Sequence, residues 1–270
     1  MPELAVIIPY FNNEKTLPMV LDGLACSTTR PDVFIADDAS HLPPTDIIKN
    51  YAHKLDIKLI TRTKNGGQAA AINSCLREIL QQDYRFIALN DADDVSHPER
   101  FSRQMDYLEI HALDLCGTAA NVIHPETQRL RFIISHPQTH NAIATAIYYN
   151  SSFVHPSIMF RRTLIDKVGL YNETYKTAAD FEFFYRVQQD NHLKMGNMPD
   201  ILMDYYLGTH NISVQKRRTQ TLNRLCTQLH FFTPTNIHSY LGVVRTLLAL
   251  LLPFSLLNKL KELKHYHSTL

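Results

Sequence analysis

Through the first 120 residues, short apolar runs alternate with helix-period segments, and this alternation restricts the chain to an α/β sheet covered on both faces. Strands are expected over Leu4–Pro9, Val33–Ala36, Ile57–Thr61 and Phe86–Leu89, and helices over Glu14–Cys26, Thr45–Lys54 and Gln68–Leu80. Strand–helix–strand units of this spacing need right-handed crossovers, so the central sheet is expected to be mainly parallel. In such sheets the ligand sits outside the carboxyl ends of the strands. Polar clusters fall at those ends: Tyr10-Phe11-Asn12, Asp37-Asp38-Ala39-Ser40, Lys64-Asn65-Gly66-Gly67 and Asp91 to Asp94. Four clusters on one rim fit a nucleotide-sized site, and a purely structural sheet has no need to collect its acids there.

Asp91-Ala92-Asp93-Asp94 follows the apolar run Phe86-Ile87-Ala88-Leu89 directly. Carboxylates that close raise each other's pKa values or recruit a cation. A hard divalent ion with oxygen ligands, Mn²⁺ or Mg²⁺, is the economical solution, and it would also hold a diphosphate. The competing reading is a solvated helix start, since Ser96, His97 and Pro98 follow and a helix is expected near them.

From about residue 113 the pattern changes. Leu115–Val122 and Leu130–Ser135 read as strands joined by a turn, His140–Tyr148 as a helix, Ser157–Phe160 as a short strand and Phe181–Gln189 as a helix. Further on, Leu247–Leu257 is nearly all apolar, is broken by Pro253, and is too short to span a bilayer. Arg245, Lys259, Lys261 and Lys264 flank it, which suits an interfacial helix on anionic lipid; packing on the domain or in a dimer is the alternative. A net charge of +1 gives no reason to expect nucleic acid. The four cysteines show neither zinc spacing nor a disulfide framework, which points to a reduced cytoplasmic compartment. Met1-Pro2-Glu3 leads straight into a strand with no basic segment, so no signal peptide is expected.

In order and spacing, these segments resemble a family-two inverting glycosyltransferase of the bacterial surface-polysaccharide type. The resemblance covers roughly residues 4 to 213 and rests on Val6 to Glu14, Asp37 to Ser40, Asn65-Gly66-Gly67 through Asn73, Asp91 to Asp94, His155 to Arg162 and Ala179 to Arg186. It implies a GT-A fold with a C-terminal helical tail. Residues 1–215 would be the catalytic domain, with a nucleotide-sugar half (1–112) and an acceptor half (113–215), and 216–270 a helical extension. It further implies transfer from a nucleotide-diphosphate sugar, a UDP-sugar by family weighting, to a glycan or lipid-linked glycan acceptor. The setting would be the cytoplasm, at the inner face of the cell membrane.

The resemblance also implies roles. Asp93 would hold the metal, with Asp91 and His210 as further ligands. The donor would be bound by Pro9, Tyr10, Asn12, Glu14, Asp37, Asp38, Asn65, Gly66, Gly67, Asp91 and Ala92, with Pro9 and Tyr10 walling the base and Asp38 on the base or ribose. Asp180 matches the base that removes the acceptor proton; an N-cap role for the helix beginning at Phe181 is the alternative. Glu182 is a second candidate base, an acceptor contact, or the i,i+4 partner of Arg186. Arg161 and Arg162 would contact phosphate or acceptor.

The chain departs from the family pattern at Ile72, where an arginine is usual and for which Arg62 or Lys64 would substitute, at Ala179, and at Tyr206 and Gly208, which leaves His210 as the one histidine of its segment. These departures open a second reading, a non-catalytic nucleotide-sugar-binding partner or sensor with a degenerate site. A sugar nucleotidyltransferase needs a glycine-rich first loop, and Ile8 to Asn12 has no glycine. A dinucleotide-binding dehydrogenase needs Gly-x-Gly-x-x-Gly after the first strand, which is also missing.

Overall fold

The computed structural model describes residues 3–208 and 215–251. Among them, nine strands join in one sheet: β1 (Leu4–Tyr10), β2 (Asp32–Asp37), β3 (Asp56–Thr61), β4 (Phe86–Leu89), β5 (Val95–Ser96), β6 (Leu115–Ile123), β7 (Leu130–Ile134), β8 (Met159–Arg161) and β9 (Met195–Tyr206). Their order is β3-β2-β1-β4-β8-β6-β9-β5, with β7 beside β6. The first four strands are parallel to one another, as expected. β8 then runs antiparallel to both β4 and β6, and β9 lies parallel to β6. Two reversals return β6 and β9 to the direction of β4, so their carboxyl ends reach the same rim.

Strand alternation divides the core into two layers. Ala5 and Ile7 of β1 face α3 (Gln68–Ile79), α5 (His140–Ile147), α6 (Thr163–Val168) and α7 (Ala179–Gln189). Val6, Ile8 and Tyr10 face α1 (Leu17–Ala25) and α4 (Arg100–Ile110). The expected helix over Thr45–Lys54 is shorter: α2 spans Thr45–Lys49 and gives way to turns.

Two expectations are corrected. No helix starts at Ser96. Val95 and Ser96 pair with Asp204 and Met203 as β5, and the Ser96 hydroxyl donates to Asn90 Oδ1 at 2.6 Å, so the helix is delayed to Arg100. The strand expected at Ser157 begins at Met159, preceded by a 3-10 turn over His155–Ser157. β9 was not anticipated, because Gly196, Pro199 and Asp200 break its alternation. The pairing with β6 skips Pro199 and Asp200 as a bulge, which spares the ladder the missing proline N–H. Beyond β9, α8 (Arg217–His230) and α9 (Ile237–Leu251) form the helical extension. Of the apolar run expected over Leu247–Leu257, residues 247–251 close this last helix and the rest lies outside the described residues.

α4 supplies the pin for this arrangement. Arg100 is fully buried. Its Nη2 donates to Leu89 O (2.8 Å) and Pro156 O (2.9 Å), Nη1 to Ser96 Oγ (2.8 Å) and Asn90 Oδ1 (3.1 Å), and Nε to Gln104 Oε1 (3.0 Å). One guanidinium thereby ties β4, β5, α4 and the turn before β8. Arg100→Leu would leave those acceptors buried without a donor. Urea unfolding should report a loss of at least about 3 kcal/mol; an unchanged midpoint would refute this role.

Candidate functional site

β4 ends at Leu89 and a tight turn follows. The side-chain amide of Asn90, which is fully buried, donates to both Asp91 O and Asp94 O at 2.8 Å. This holds the turn closed and points three carboxylates to one place. Ligand oxygens of Asp91, Asp93 and Asp94 all lie within 4.8 Å of one another. Burial, and then the Asp93 charge, pushes the Asp91 carboxyl up to about 7. Asp93 is raised by burial, and Asp94 well above the usual range by burial and then by Asp93 and Asp91. Asp94 Oδ1 accepts the Tyr206 N–H at 2.8 Å, while its Oδ2 is buried with no partner among the described residues. An orphaned carboxylate oxygen within a set of three carboxylates suits a hard divalent cation. Arg100 lies behind this turn, and burial lowers its guanidinium to about 9.

The glycine turn stands opposite, between β3 and α3. Asp38 is buried and organises it: Oδ1 accepts Arg62 Nε (2.8 Å) and Gly66 N (2.9 Å), and Oδ2 accepts Gly67 N (2.7 Å). A Cβ on Gly66 would come within 2.6 Å of the Arg62 guanidinium, and Gly67 has φ +86°, so both positions favour glycine. Gln68, next in the chain, reaches across to Asp91 Oδ1 at 2.8 Å. Asp37 Oδ1 accepts Ser40 N (3.0 Å) and Asn12 Oδ1 accepts His41 N (2.9 Å), which knits the loops after β1 and β2 together. Glu14 is half-buried in the same first loop, Asn65 is exposed beside the glycines, and Ala92 O accepts the Thr16 hydroxyl at 2.7 Å. Pro9 is partly exposed. Tyr10 points into the core with its hydroxyl on Leu42 O, and Phe11 is the exposed ring at the end of β1.

α7 brings the second part of the site. It begins at Ala179, two residues earlier than a start at Phe181 would place it, and its N-cap is Ala178 in the left-handed region (φ 58°). Asp180 is therefore not the cap. It lies in the first turn, where the helix dipole favours a negative charge, with no hydrogen-bond partner among the described residues. Its charge is felt by Asp91, His155, Tyr171 and Tyr205, so it lies near the carboxylate turn. Glu182 is buried and both its oxygens are held by Arg186, Nε at 2.9 Å and Nη2 at 3.0 Å. That pairing is the i,i+4 reading of the sequence, and it occupies the oxygens a base would need.

Arg161 and Arg162 are not brought to this rim. β8 is antiparallel to β4, with Arg161 opposite Phe86 at the amino end of β4. Arg161 donates to Leu113 O (2.8 Å) and Leu108 O (3.1 Å), and Arg162 to Leu80 O (3.0 Å). The other end of the same motif does reach the site: His155 shares a hydrogen bond with the Tyr171 hydroxyl at 3.1 Å. Arg62, expected to substitute for the missing arginine at Ile72, lies at the glycine turn, with Nε donating to Asp38 and Nη1 to Ala70 O and Ser74 Oγ; Ile72 itself is core. Lys176, whose Nζ donates to Gly66 O at 2.8 Å, is a cation at the glycine turn that sequence reasoning missed. Asp94, Gln68, Asn90, Arg100 and His155 were missed as individual site residues, although Asp94 and Gln68 adjoin motifs that were recognised. His210 lies outside the described residues.

The family described as Glycosyl transferase family 2 matches residues 5–169. AmsE, the amylovoran biosynthesis glycosyltransferase of Erwinia amylovora, is 27% identical over 220 residues, covering 79% of either chain. WbnJ, an O-antigen biosynthesis glycosyltransferase of Escherichia coli, is 25% identical over 217 residues, covering 79% of this chain and 82% of its own. The crystal structure of S. aureus TarS 1-349 in complex with UDP-GlcNAc superposes with a TM-score of 0.69 at 19% identity, covering 91% of this chain and 71% of that one. The likeness to TarS establishes a GT-A-type fold here, as the sequence had led us to expect.

A divalent cation held by the carboxylate turn would compete with protons there, which gives a pH test. Asp91, raised in the folded chain, binds more protons there than when unfolded. The metal-free protein should therefore lose stability as pH rises from the ordinary carboxylate range towards about 7. Mn²⁺ should restore it, with a melting-temperature gain that is full above about pH 7 and fades towards about pH 5. Asp93→Asn should remove the gain, and a gain unchanged in that variant would exclude Asp93 as a ligand.

Proposed function

The chain belongs to glycosyl transferase family 2 and is a transferase enzyme, and from that premise we propose an inverting transfer of sugar from a UDP-sugar to a hydroxyl of a glycan or lipid-linked glycan in cell-surface polysaccharide synthesis. The observation that carries this reading is the Asp91, Asp93 and Asp94 turn with Asp180 near it, Asp180 having no hydrogen-bond partner among the described residues. The names of AmsE and WbnJ support the polysaccharide setting, and the UDP-GlcNAc held by TarS supports a uridine donor. Residues 1–215 form the transferase domain, 1–112 its donor half and 113–215 its acceptor half, with 216–270 as the extension. No helix of the described residues is long and apolar enough to cross a membrane. The proposed setting is the cytoplasmic face of the cell membrane.

In this mechanism the donor diphosphate lies at the rim between the glycine turn and the carboxylate turn. Asp91, Asp93 and Asp94 would hold Mn²⁺ or Mg²⁺, which would supply Lewis-acid charge neutralisation to the diphosphate leaving group. Gly66 and Gly67 admit the nucleotide close to the backbone, and Asp38 keeps their N–H groups in place. Asp180 accepts the acceptor hydroxyl proton as that oxygen attacks the anomeric carbon. The bond from the anomeric carbon to the diphosphate oxygen breaks, and its electron pair leaves with the nucleoside diphosphate. A single displacement of this kind inverts the anomeric centre. His155 and Tyr171, hydrogen-bonded to each other near Asp180, line the acceptor side; burial lowers the imidazole's pKa.

A thermal-shift panel of nucleotide-diphosphate sugars with Mn²⁺ identifies the donor, since a ligand of the folded state raises its melting temperature. Asp180→Asn should then keep the donor-dependent shift and lose transfer by roughly 10²–10⁴-fold. Normal turnover in that variant would overturn the assignment of the base. Absence of a shift with every donor would overturn the donor site.

A further inference from the structure

α9 is packed against its usual polarity. It buries Ser239, Gly242 and Thr246 against the domain and exposes Ile237, Leu241, Val244, Leu248 and Leu251, each between 48% and 80% accessible. At about 100° per residue the two sets lie on opposite sides of the helix. The small face is needed for docking: a Cβ on Gly242 would lie 2.1 Å from Tyr148 O, and Gln228 of α8 donates to that same oxygen at 2.8 Å. The aliphatic stripe is therefore fixed outward, and the exposed Leu222 and Leu229 extend apolar surface onto α8. An apolar surface of this kind marks an interaction site.

Charge selects the occupant. From Tyr205 to Lys261 the sequence has no aspartate or glutamate and seven lysines and arginines. Lys216 and Arg218 at the start of α8 and Arg245 beside the stripe are exposed. A second copy would have to place this cationic segment against itself across a two-fold axis, with no carboxylate of its own to neutralise it. An anionic bilayer satisfies both halves at once: acyl chains take the aliphatic side chains, and headgroups take the cations. We propose that α9 with the outer side of α8 is a docking surface for an anionic membrane, by which the enzyme lies on the bilayer without crossing it. The proposal deepens the reading of a membrane-face transferase by assigning its docking surface. It extends the sequence expectation, which placed the contact on Leu247–Leu257, towards the amino end over Ile237–Leu251.

The test is cosedimentation of the full chain with vesicles of phosphatidylcholine alone or mixed with phosphatidylglycerol. The protein should pellet with the mixed vesicles, and high salt should weaken this, because about 1 M salt shortens electrostatic reach to about 3 Å. Leu241→Asp/Val244→Asp should reduce the partition by on the order of tenfold or more, since buried apolar area contributes about 25 cal/mol per Å². The same variant should keep the Mn²⁺-dependent UDP shift, so a docking failure is separable from failure of the donor site. A chain left in the supernatant, or pelleting that the double variant does not reduce, would overturn the proposal. So would a vesicle-free dimer that the variant dissociates, since the stripe would then be covered by a second copy.

Discussion

A guanidinium sealed from solvent carries the geometry of this site. Arg100 donates to Leu89 O, at the end of β4, and to Pro156 O, in the turn before β8; these two positions flank the carboxylate turn. Burying a cation is costly unless its donors are satisfied. Here every nitrogen of the group has a partner, and the Asp91 and Asp94 charges favour its ionised form. The dependence is mutual. Three carboxylates gathered in one turn repel one another, and a buried positive charge beneath them reduces the repulsion that a bound cation would remove from above.

The fold was legible because its first half obeys local rules. In the first four strands apolar runs match strand length and glycine and acid clusters punctuate them, so element order and rim position follow from periodicity. β9 was not legible, because its pairing with β6 tolerates Pro199 and Asp200 only through a bulge, and a bulge is a property of two strands together. The start of α4 was misplaced for a similar reason. Ser96 reads as a cap in isolation, but its hydroxyl is engaged by Asn90 and Arg100 in the folded chain.

Individual site residues were legible to the extent that their motifs are short. Asp91, Asp93 and Asp94 occupy one turn, so adjacency in sequence ensures adjacency in space. His155 to Arg162 is longer than a turn and includes an extended strand, and a strand carries its two ends to opposite rims. His155 therefore meets Tyr171 near Asp180, while Arg161 and Arg162 secure the far edge. Glu182 and Asp180 show the complementary case. Two residues apart on a helix, they point to different surroundings, and Arg186 claims the one that faces the body of the domain. Asp38 was recognised as a rim acid, yet its three contacts turn it towards the glycine turn, where it shapes the loop that a nucleotide would meet.

α8 joins the two ends of the molecule's chemistry. On its inner side Asn223 donates to Thr177 O (2.9 Å), and the Arg224 guanidinium lies 5.2 Å from the centre of the Phe181 ring, next to Asp180. Arg224 Nη1 donates to Asn150 Oδ1 at 2.7 Å, while burial lowers the guanidinium's pKa. On its outer side the same helix exposes Leu222 and Leu229. The segment that positions Ala178 and Asp180 is thus fastened by a helix whose other face belongs to the proposed membrane surface. The extension is held on the transferase domain by small, close-fitting residues such as Gly242, where a Cβ would meet Tyr148 O, so the outer and inner faces of this helix are fixed relative to each other.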